Sequence, residues 1–374
     1  MKKNLIKSSL KNFIRKILLF AGFSSFTEGL QYTRAYKSTN TTNNKIQKRT
    51  IYSFTGGNLN PDKVFYIIQR YPGTGIFSNL SFVINHIKIA LDMGFIPIVD
   101  MENHTNIYNE NKKIFNTYNS WEYYYEQICP YTLEEVYKSK NIIITSSIFY
   151  SEIDFCYNIT DKKELLDIFY KYIKVKRNKF KTIQYLKKKL FHNKRVLGVH
   201  FRGTGYKYGR NAYPLTVNQM INKINKILST ENYDKIFLMT EDSYNFNKIK
   251  EYFGEKVISL STTVRGKTSL EVYDKYPRDR HRYKLGRDVL IETYLLSYCD
   301  GFFDIETNPR YIVYALNLNP IQNRYTFDNG FNNVWRYFSY FKYSWFLKSI
   351  LPEKLGGFKN NKKPNKKLHK LKPT

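Results

Sequence analysis

Acidic residues are scarce: 31 stand against 61 lysines and arginines, so the 374 residues carry a formal net charge of +30. A surface that basic favours anionic partners, whether nucleotides, phosphorylated lipids, membrane headgroups or nucleic acid. Part of the excess has a duller source, because Lys, Asn, Ile, Tyr and Phe are abundant together, as an AT-rich coding sequence would make them. Cysteine is scarcer still. Cys129, Cys156 and Cys299 are odd in number and far apart, which excludes a disulfide framework and any metal-binding cysteine spacing, and fits a reducing compartment. The six histidines show no HExxH or paired spacing, so no structural metal is expected. Long apolar runs are also missing. The block ILLFAGF at 17–23 is too short to cross a bilayer. No nucleic-acid recognition motif is present, and charge alone would give only unspecific affinity.

What is present is enough for two ordinary domains, with 42% apolar residues. Residues 1–50 stand apart as a basic segment with one acid, Glu28. Within it Leu5, Ile6, Leu10, Phe13, Ile14, Ile17 and Leu18 recur at helical spacing among lysines. Such a helix suits an anionic membrane surface or packs on the body of the protein. Ser38–Arg49 reads as a linker. At the other end, Tyr340–Leu351 alternates aromatics with lysines, an interfacial pattern. From Lys359 onward the chain is almost entirely Lys, Asn, Pro and Leu, the composition of a disordered tail. Basic ends of this kind fit a protein of the cytoplasm, peripheral at a membrane, or simply a solubilising tail.

Between the ends, apolar runs and helical patterns alternate. A first domain over 51–190 opens with a strand at Val64–Ile68. The loop Gly73-Thr74-Gly75 to Asn79, a helical pattern from Leu80 to Met93 and a strand ending in Asp100 complete a βαβ unit. The loop is neither GxGxxG nor a P-loop, so it is a loop that receives a substrate or a plain tight turn. Asn119–Glu126, rich in aromatics, is packing surface first and a sugar platform second. One or two charged helices occupy 161–190. A second domain, 191–345, repeats the alternation: strands at Val196–His200, Ile236–Thr240, Val257–Leu260 and Gly301–Phe303, with helices over 215–227, 244–253, 285–298 and 307–315. Residues 346–374 form the basic tail. The fold class is α/β with parallel sheets.

The most informative stretch is Val196 to Tyr206. VLGV is a buried strand, and His200 and Arg202, two apart, point to one side of it. Gly203 and Gly205 then allow a sharp turn. A guanidinium at a strand's carboxyl end matches the oxygens of a phosphate, and in a doubly wound sheet ligands bind at that edge. An arginine paired with a carboxylate is the alternative. Other polar residues gather at strand ends: Glu241 and Asp242, then Thr307 and Asn308. On the apolar helix before the last strand lie Arg287 and Glu292. A carboxylate there needs a partner; Glu292 would hold Arg202 or accept hydrogen bonds from a base or ribose.

In this order the motifs resemble the fucosyltransferase family that includes nodulation enzymes, α-1,6 core-fucosylating enzymes and protein O-fucosyltransferases. The carriers are His200-Phe201-Arg202-Gly203-Thr204, Met239-Thr240-Glu241-Asp242, the set Arg287, Glu292, Leu296 and Ser297, and Thr307-Asn308, covering roughly 190–320. The resemblance implies a GT-B-like fold, two Rossmann-type domains facing a central cleft, and an inverting, metal-independent glycosyltransferase using GDP-fucose with no cofactor. Arg202 would stabilise the departing GDP. His200, Thr204, Arg287 and Glu292 would position the nucleotide, Asp242 would meet its base or ribose, and Thr307-Asn308 would reach phosphate. Gly73, Gly75, Asn79 and Asp100 would lie on the acceptor side, facing a glycan or lipid-linked glycan, with peripheral membrane contact and no nucleic-acid partner. The pattern also departs from the family's. Gly203 replaces a second arginine, Gly205 and Tyr206 replace an Asp and a Lys, and the acid expected next falls near Arg210. The general base therefore stays open among Asp100, Glu102 and Glu241. The alternative to an enzyme is a polyanion- or membrane-binding protein on a degenerate transferase fold.

Overall fold

The computed structural model describes residues 50–70, 75–103, 106–146, 163–208, 212–275, 278–305, 307–316, 323–330 and 344–364. The amphipathic segment before residue 50, Gly73, Cys156, Arg210 and the tail beyond 364 lie outside these residues.

Two sheets carry the fold. The first holds β1 (Thr50–Phe54), β2 (Leu59–Gln69), β3 (Ile96–Val99) and β4 (Ser139–Ser146) in the order β1-β4-β2-β3. β2 runs parallel to β3 and β4, and β1 closes the edge antiparallel. Helix α1 (Ile76–Asp92) crosses from β2 to β3, and α2 (Leu133–Tyr137) precedes β4. Two helices, α3 (Lys163–Tyr172) and α4 (Arg177–Phe191), lead to the second sheet. This sheet contains β5 (Val196–His200), β6 (Lys235–Met239), β7 (Val257–Ile258), β8 (Gly301–Asp304) and β9 (Asn323–Thr326), all parallel, in the order β7-β6-β5-β8-β9. Its connections are α5 (Val217–Thr230), α6 (Ser243–Phe253), α7 (Ser269–Tyr273), α8 (His281–Leu296) and α9 (Asn308–Leu316), and α10 (Ser344–Ile350) follows. The α/β class with parallel sheets, expected from the sequence, is the class observed.

Local chemistry explains the main boundaries. Thr216 and Gln219 form a reciprocal capping box that starts α5. Asp242 caps α6 through the Asn245 amide at 3.0 Å. β5 is buried along its whole length, because its apolar run lies between β6 and β8 with helices on the faces. The strand order reverses beside it: the chain moves outward from β5 to β6 and β7, then returns to β8 on the other flank. A crevice opens at such a reversal, outside the carboxyl ends of the strands.

Four elements went unannounced by the sequence: β1, α2, the short α7 inside the loop before α8, and β9. α8 also starts earlier than its apolar run, at His281. The NSWEYYYE segment is packing, with Trp121, Tyr123, Tyr124 and Tyr125 all buried. Residues 359–364, expected as part of a disordered tail, are bonded to the body. The Lys359 carbonyl accepts from Gln219 Nε2 at 2.7 Å, and Asn361 Oδ1 accepts from Thr216 Oγ1 at 2.5 Å. Among the described residues no helix is long and apolar enough to cross a membrane.

Candidate functional site

A cavity of about 320 Å³ lies at the reversal point. The carboxyl ends of β5 and β6 contribute His200, Arg202, Met239, Thr240 and Glu241. The α7–α8 region supplies Val272, Tyr273, Asp288 and Glu292, and the start of α9 supplies Asn308 and Pro309. From the first half of the chain, Gly75 to Ser78 at the start of α1, together with Tyr108, close the opposite side. Residues more than a hundred positions apart thus form one wall.

Arg202 is the cation of this cavity. Its Nη1 lies 3.3 Å from Glu241 Oε1, and its side chain stays 30% exposed. Its guanidinium carbon stands 5.0 Å from the Tyr206 ring centre. Burial alone would lower its pKa, but Glu241, Tyr273 and Tyr206 raise it, so the charge is permanent. One oxygen of Glu241 holds this turn. The same Oε1 accepts from the Gly203 amide at 3.2 Å and from Thr204 Oγ1 at 3.0 Å. The turn itself needs glycine: a Cβ at Gly203 would stand 2.5 Å from Asp242 Cβ. No side chain fits where the family pattern has its second arginine.

His200 is buried and neutral. Burial first, and then the Arg202 charge, pull its pKa down to about 3. Its Nδ1 lies 3.1 Å from Thr307 Oγ1, so the end of β5 is tied to the residue before α9. Asn308, the first residue of α9, lines the cavity.

Glu292 is buried on α8 and lines the cavity floor. Its expected partner Arg202 is not the one it has. Thr263 Oγ1 donates to its Oε1 at 2.7 Å, and Arg265 Nη2 stands 3.9 Å away. Burial raises its pKa to about 8, against the opposing pull of Arg265 and Thr263. One turn earlier is Asp288, which the motif reading missed. It accepts from Arg278 Nη2 at 2.7 Å, from Arg287 Nη2 at 2.8 Å and from Thr262 Oγ1 at 3.1 Å. Its signal was available: Asp288 and Glu292 are the two acids of α8 and stand four apart, hence on one face.

Other expected residues stand apart. Arg287 spends its guanidinium on Asp288 and does not line the cavity. Asp242 caps α6 and pairs with Lys207 at 2.8 Å, also outside the lining. Thr204 serves Glu241. Asn79 Oδ1 accepts from Arg70 behind the start of α1 at 3.2 Å, while Gly75 does line the cavity. Asp100 is buried beyond it, saturated by Gln69, Tyr137 and Asn103 side chains and by two backbone amides. Tyr273, Tyr206 and Tyr108 were not foreseen, since nothing in their spacing sets them apart from the chain's 34 tyrosines. Among the described residues no cluster of three His, Cys, Asp or Glu side chains is placed to hold a metal ion.

Fold and site together define an α/β protein whose ligand cavity sits at a strand-order reversal, against one anchored arginine. No family model matches the chain, and no curated protein matches it. Among solved structures it is similar to NodZ α-1,6-fucosyltransferase co-crystallized with GDP, at 17% identity over 67% of this chain and 91% of that one, with a TM-score of 0.43. It is similar to fucosyltransferase NodZ from Bradyrhizobium at 16% identity, 67% and 92% coverage and a TM-score of 0.43. A third is POFUT1 in complex with GDP, at 9% identity, 71% and 99% coverage and a TM-score of 0.40. At these values the function has to be read from the site.

Proposed function

We propose that this chain is an inverting glycosyltransferase that moves a sugar, fucose from GDP-fucose being the expected one, to a glycan acceptor without a metal. The observation that carries the reading is Arg202, fixed by Glu241 at the mouth of a cavity that the start of α1 closes from the far side. In the transfer the acceptor hydroxyl oxygen bonds to the anomeric carbon from the face opposite the diphosphate, and the hydroxyl proton passes to water or to the departing diphosphate. The bond from the anomeric carbon to the diphosphate oxygen breaks, its electron pair leaving on the diphosphate. Charge grows on that oxygen, so a preorganised cation there acts mainly on the transition state. Arg202 takes this role. Its fork is fixed in advance by Glu241 and Tyr206, which lowers the reorganisation the step requires.

The remaining roles follow from placement. His200 and Thr307 orient the first turn of α9, whose Asn308 end faces the phosphates. Glu292 and Asp288 form the polar floor for base and ribose. Thr204 and Glu241 hold the arginine, and Glu241 is assigned positioning in place of proton removal, since its engaged oxygen already meets three donors. Arg287 and Asp242 act behind the wall. The two units, 51–190 and 191–345, supply acceptor and donor sides, with Gly75 at the acceptor edge. A lipid-linked acceptor and peripheral contact with the cytoplasmic face of a membrane complete the reading, motivated by the +30 charge. The second reading, binding without turnover, draws on one observation: Glu241, Asp288 and Glu292 each face an arginine within 4 Å, so no cavity carboxylate stands clear as a base.

The first experiment is a thermal-shift panel with GDP, UDP, CMP and GDP-fucose on wild type and Arg202→Ala. A ligand at about a hundred times its dissociation constant adds roughly 2.7 kcal/mol of stability. A shift selective for the guanosine ligands and lost in the variant is expected. Selectivity for UDP or CMP would replace the donor, and no response to any nucleotide would overturn the reading. Sugar release or transfer in the presence of EDTA then separates enzyme from binder.

A further inference from the structure

We infer that the loop following α10 is a docking hook for an anionic lipid surface. Ile350, Leu351 and Leu355 are 40%, 37% and 69% exposed, three large aliphatic side chains within six residues. The same segment buries Trp345, Phe346 and Phe358. Folding therefore sorts it into an aromatic side that packs and an aliphatic side that does not.

The aliphatic tips are held in place. Within the loop, the Leu355 amide donates to the Pro352 carbonyl at 2.9 Å, and the Phe358 amide donates to the Lys348 carbonyl at 2.9 Å. Lys348 Nζ reaches the Gly356 carbonyl at 3.2 Å. Gly357 lies so close to the Leu351 carbonyl that a Cβ would stand 1.8 Å from its oxygen. Below the loop, Trp345 Nε1 donates to the Pro214 carbonyl at 2.7 Å, and Asn361 Nδ2 donates to the Ser349 carbonyl at 2.5 Å. A loop anchored at both feet presents its leucines at little further entropic cost.

Charge identifies the occupant. Lys354, Lys359, Lys362 and Lys363 of the same segment are exposed. From residue 344 to the end of the chain Glu353 is the only acid. A protein partner of mixed surface would meet mostly positive charge on a narrow loop, Glu353 being its one acid. A bilayer with anionic headgroups matches it: aliphatic tips enter the acyl boundary and ammonium groups remain among the phosphates. The inference rests on the membrane contact of the proposed function and names its surface; its test contains neither nucleotide nor acceptor, so its failure leaves the transfer chemistry untouched.

The test is co-sedimentation of the full chain with vesicles of phosphatidylcholine alone and of phosphatidylcholine mixed with phosphatidylglycerol. Binding to the mixed vesicles, weakened by salt, is expected. Leu351→Ser with Leu355→Ser should lower the partition roughly tenfold. Lys362→Gln and Lys363→Gln should each lower it about fivefold. Leu59→Ser, a substitution of a leucine exposed elsewhere at 47%, should leave it unchanged. Melting temperatures of all these variants should match wild type, because the altered side chains are exposed. Three results would overturn the inference. One is no binding to mixed vesicles. Another is undiminished binding of the double serine variant, which would assign the affinity to other lysines. The third is a concentration-dependent dimer abolished by the same substitutions, which would assign the face to a second copy of the chain.

Discussion

His200 and Glu292 are buried on facing walls of one cavity, and burial pushes both toward neutrality, with opposite consequences for pH. The His200 pKa in the folded state, about 3, lies below its ordinary value. The unfolded chain therefore takes up a proton first as pH falls, and stability is lost from about pH 6.5 downward. Glu292, at about 8, lies above its ordinary value. The folded state keeps its proton where the unfolded chain has lost it, so stability falls as pH rises from about 4.5 to 8. In the overlap the two slopes oppose each other, which places the flattest part of the profile between about pH 4.5 and 6.5. Glu292→Gln should remove the alkaline slope and stabilise the protein at pH 8 by about 1–3 kcal/mol. Denaturant melts at several pH values measure this directly. A variant whose slope matches wild type between pH 6.5 and 8 would mean that Arg265, 3.9 Å away, keeps Glu292 ionised. The sequence showed that Glu292 needed a partner on an apolar helix. It gave no means of choosing Arg265 over Arg202, because the choice depends on how the loop at 260–266 folds over α8.

At the scale of elements, the decisive piece is the turn between β5 and the 3₁₀ segment Thr204–Tyr208. It couples the strand end to α6: Glu241 accepts from its Gly203 amide and its Thr204 hydroxyl, and Asp242, the α6 cap, lies against Gly203. Gly203→Ala would bring its Cβ to 2.5 Å from Asp242 Cβ and 2.9 Å from Asn245 Nδ2. The turn or the helix cap must then move, at a cost of about 1–3 kcal/mol. We expect a lowered melting temperature together with a nucleotide response weakened about as much as in Arg202→Ala, since Arg202 leaves its fork position. Loss of stability with full nucleotide response would show that the arginine does not depend on the turn. Most elements of this half were legible because buried strands are short apolar runs and helices repeat at 3.6. The exceptions have physical causes. β9, NRYT, is a four-residue edge strand with alternating exposure and no apolar run. α7 is a single capped turn within a polar loop. α8 gains its first turn from packing, with His281 and Tyr283 buried ahead of the apolar stretch. The site was legible where chemistry sat at strand ends, as with His200, Arg202, Glu241 and Asn308. Asp242 and Asp100, also at strand ends, are occupied by a helix cap and a turn, a distinction that only packing makes.

The two halves of the molecule meet around Tyr283. Its carbonyl accepts from Tyr124 at 2.9 Å, and its amide donates to Glu110 at 2.9 Å. Its ring lies nearly parallel to that of Tyr124 at 6.0 Å and edge-on to Phe115 at 5.8 Å. Lys179 of α4 lies against both the Phe115 and the Tyr283 rings, its Nζ 4.3 Å from the first ring centre and 5.1 Å from the second. Lys179 is only 4% exposed. Its one hydrogen-bond acceptor among the described residues is Asn178, at 3.3 Å. Two effects compete here. Cation–π attraction contributes about 0.5–2 kcal/mol, while desolvation of an ammonium without a carboxylate opposes it. Burial, followed by the nearby Arg287 and Lys176, lowers the Lys179 pKa to about 8, so desolvation prevails and the charge is a net cost to the folded state. That cost is full below pH 8 and is relieved as pH rises toward the unfolded value of about 10.5. Lys179→Met keeps the stem between the rings and removes the charge. It should stabilise the protein at neutral pH by about 1–2 kcal/mol and flatten the rise in stability above pH 8, both read from denaturant melts. Destabilisation at neutral pH would show that the two rings are worth more to the ammonium than the water it gives up. Lys179 would then act as a clamp holding α4 to Phe115 and Tyr283, in place of a charge tolerated beside them.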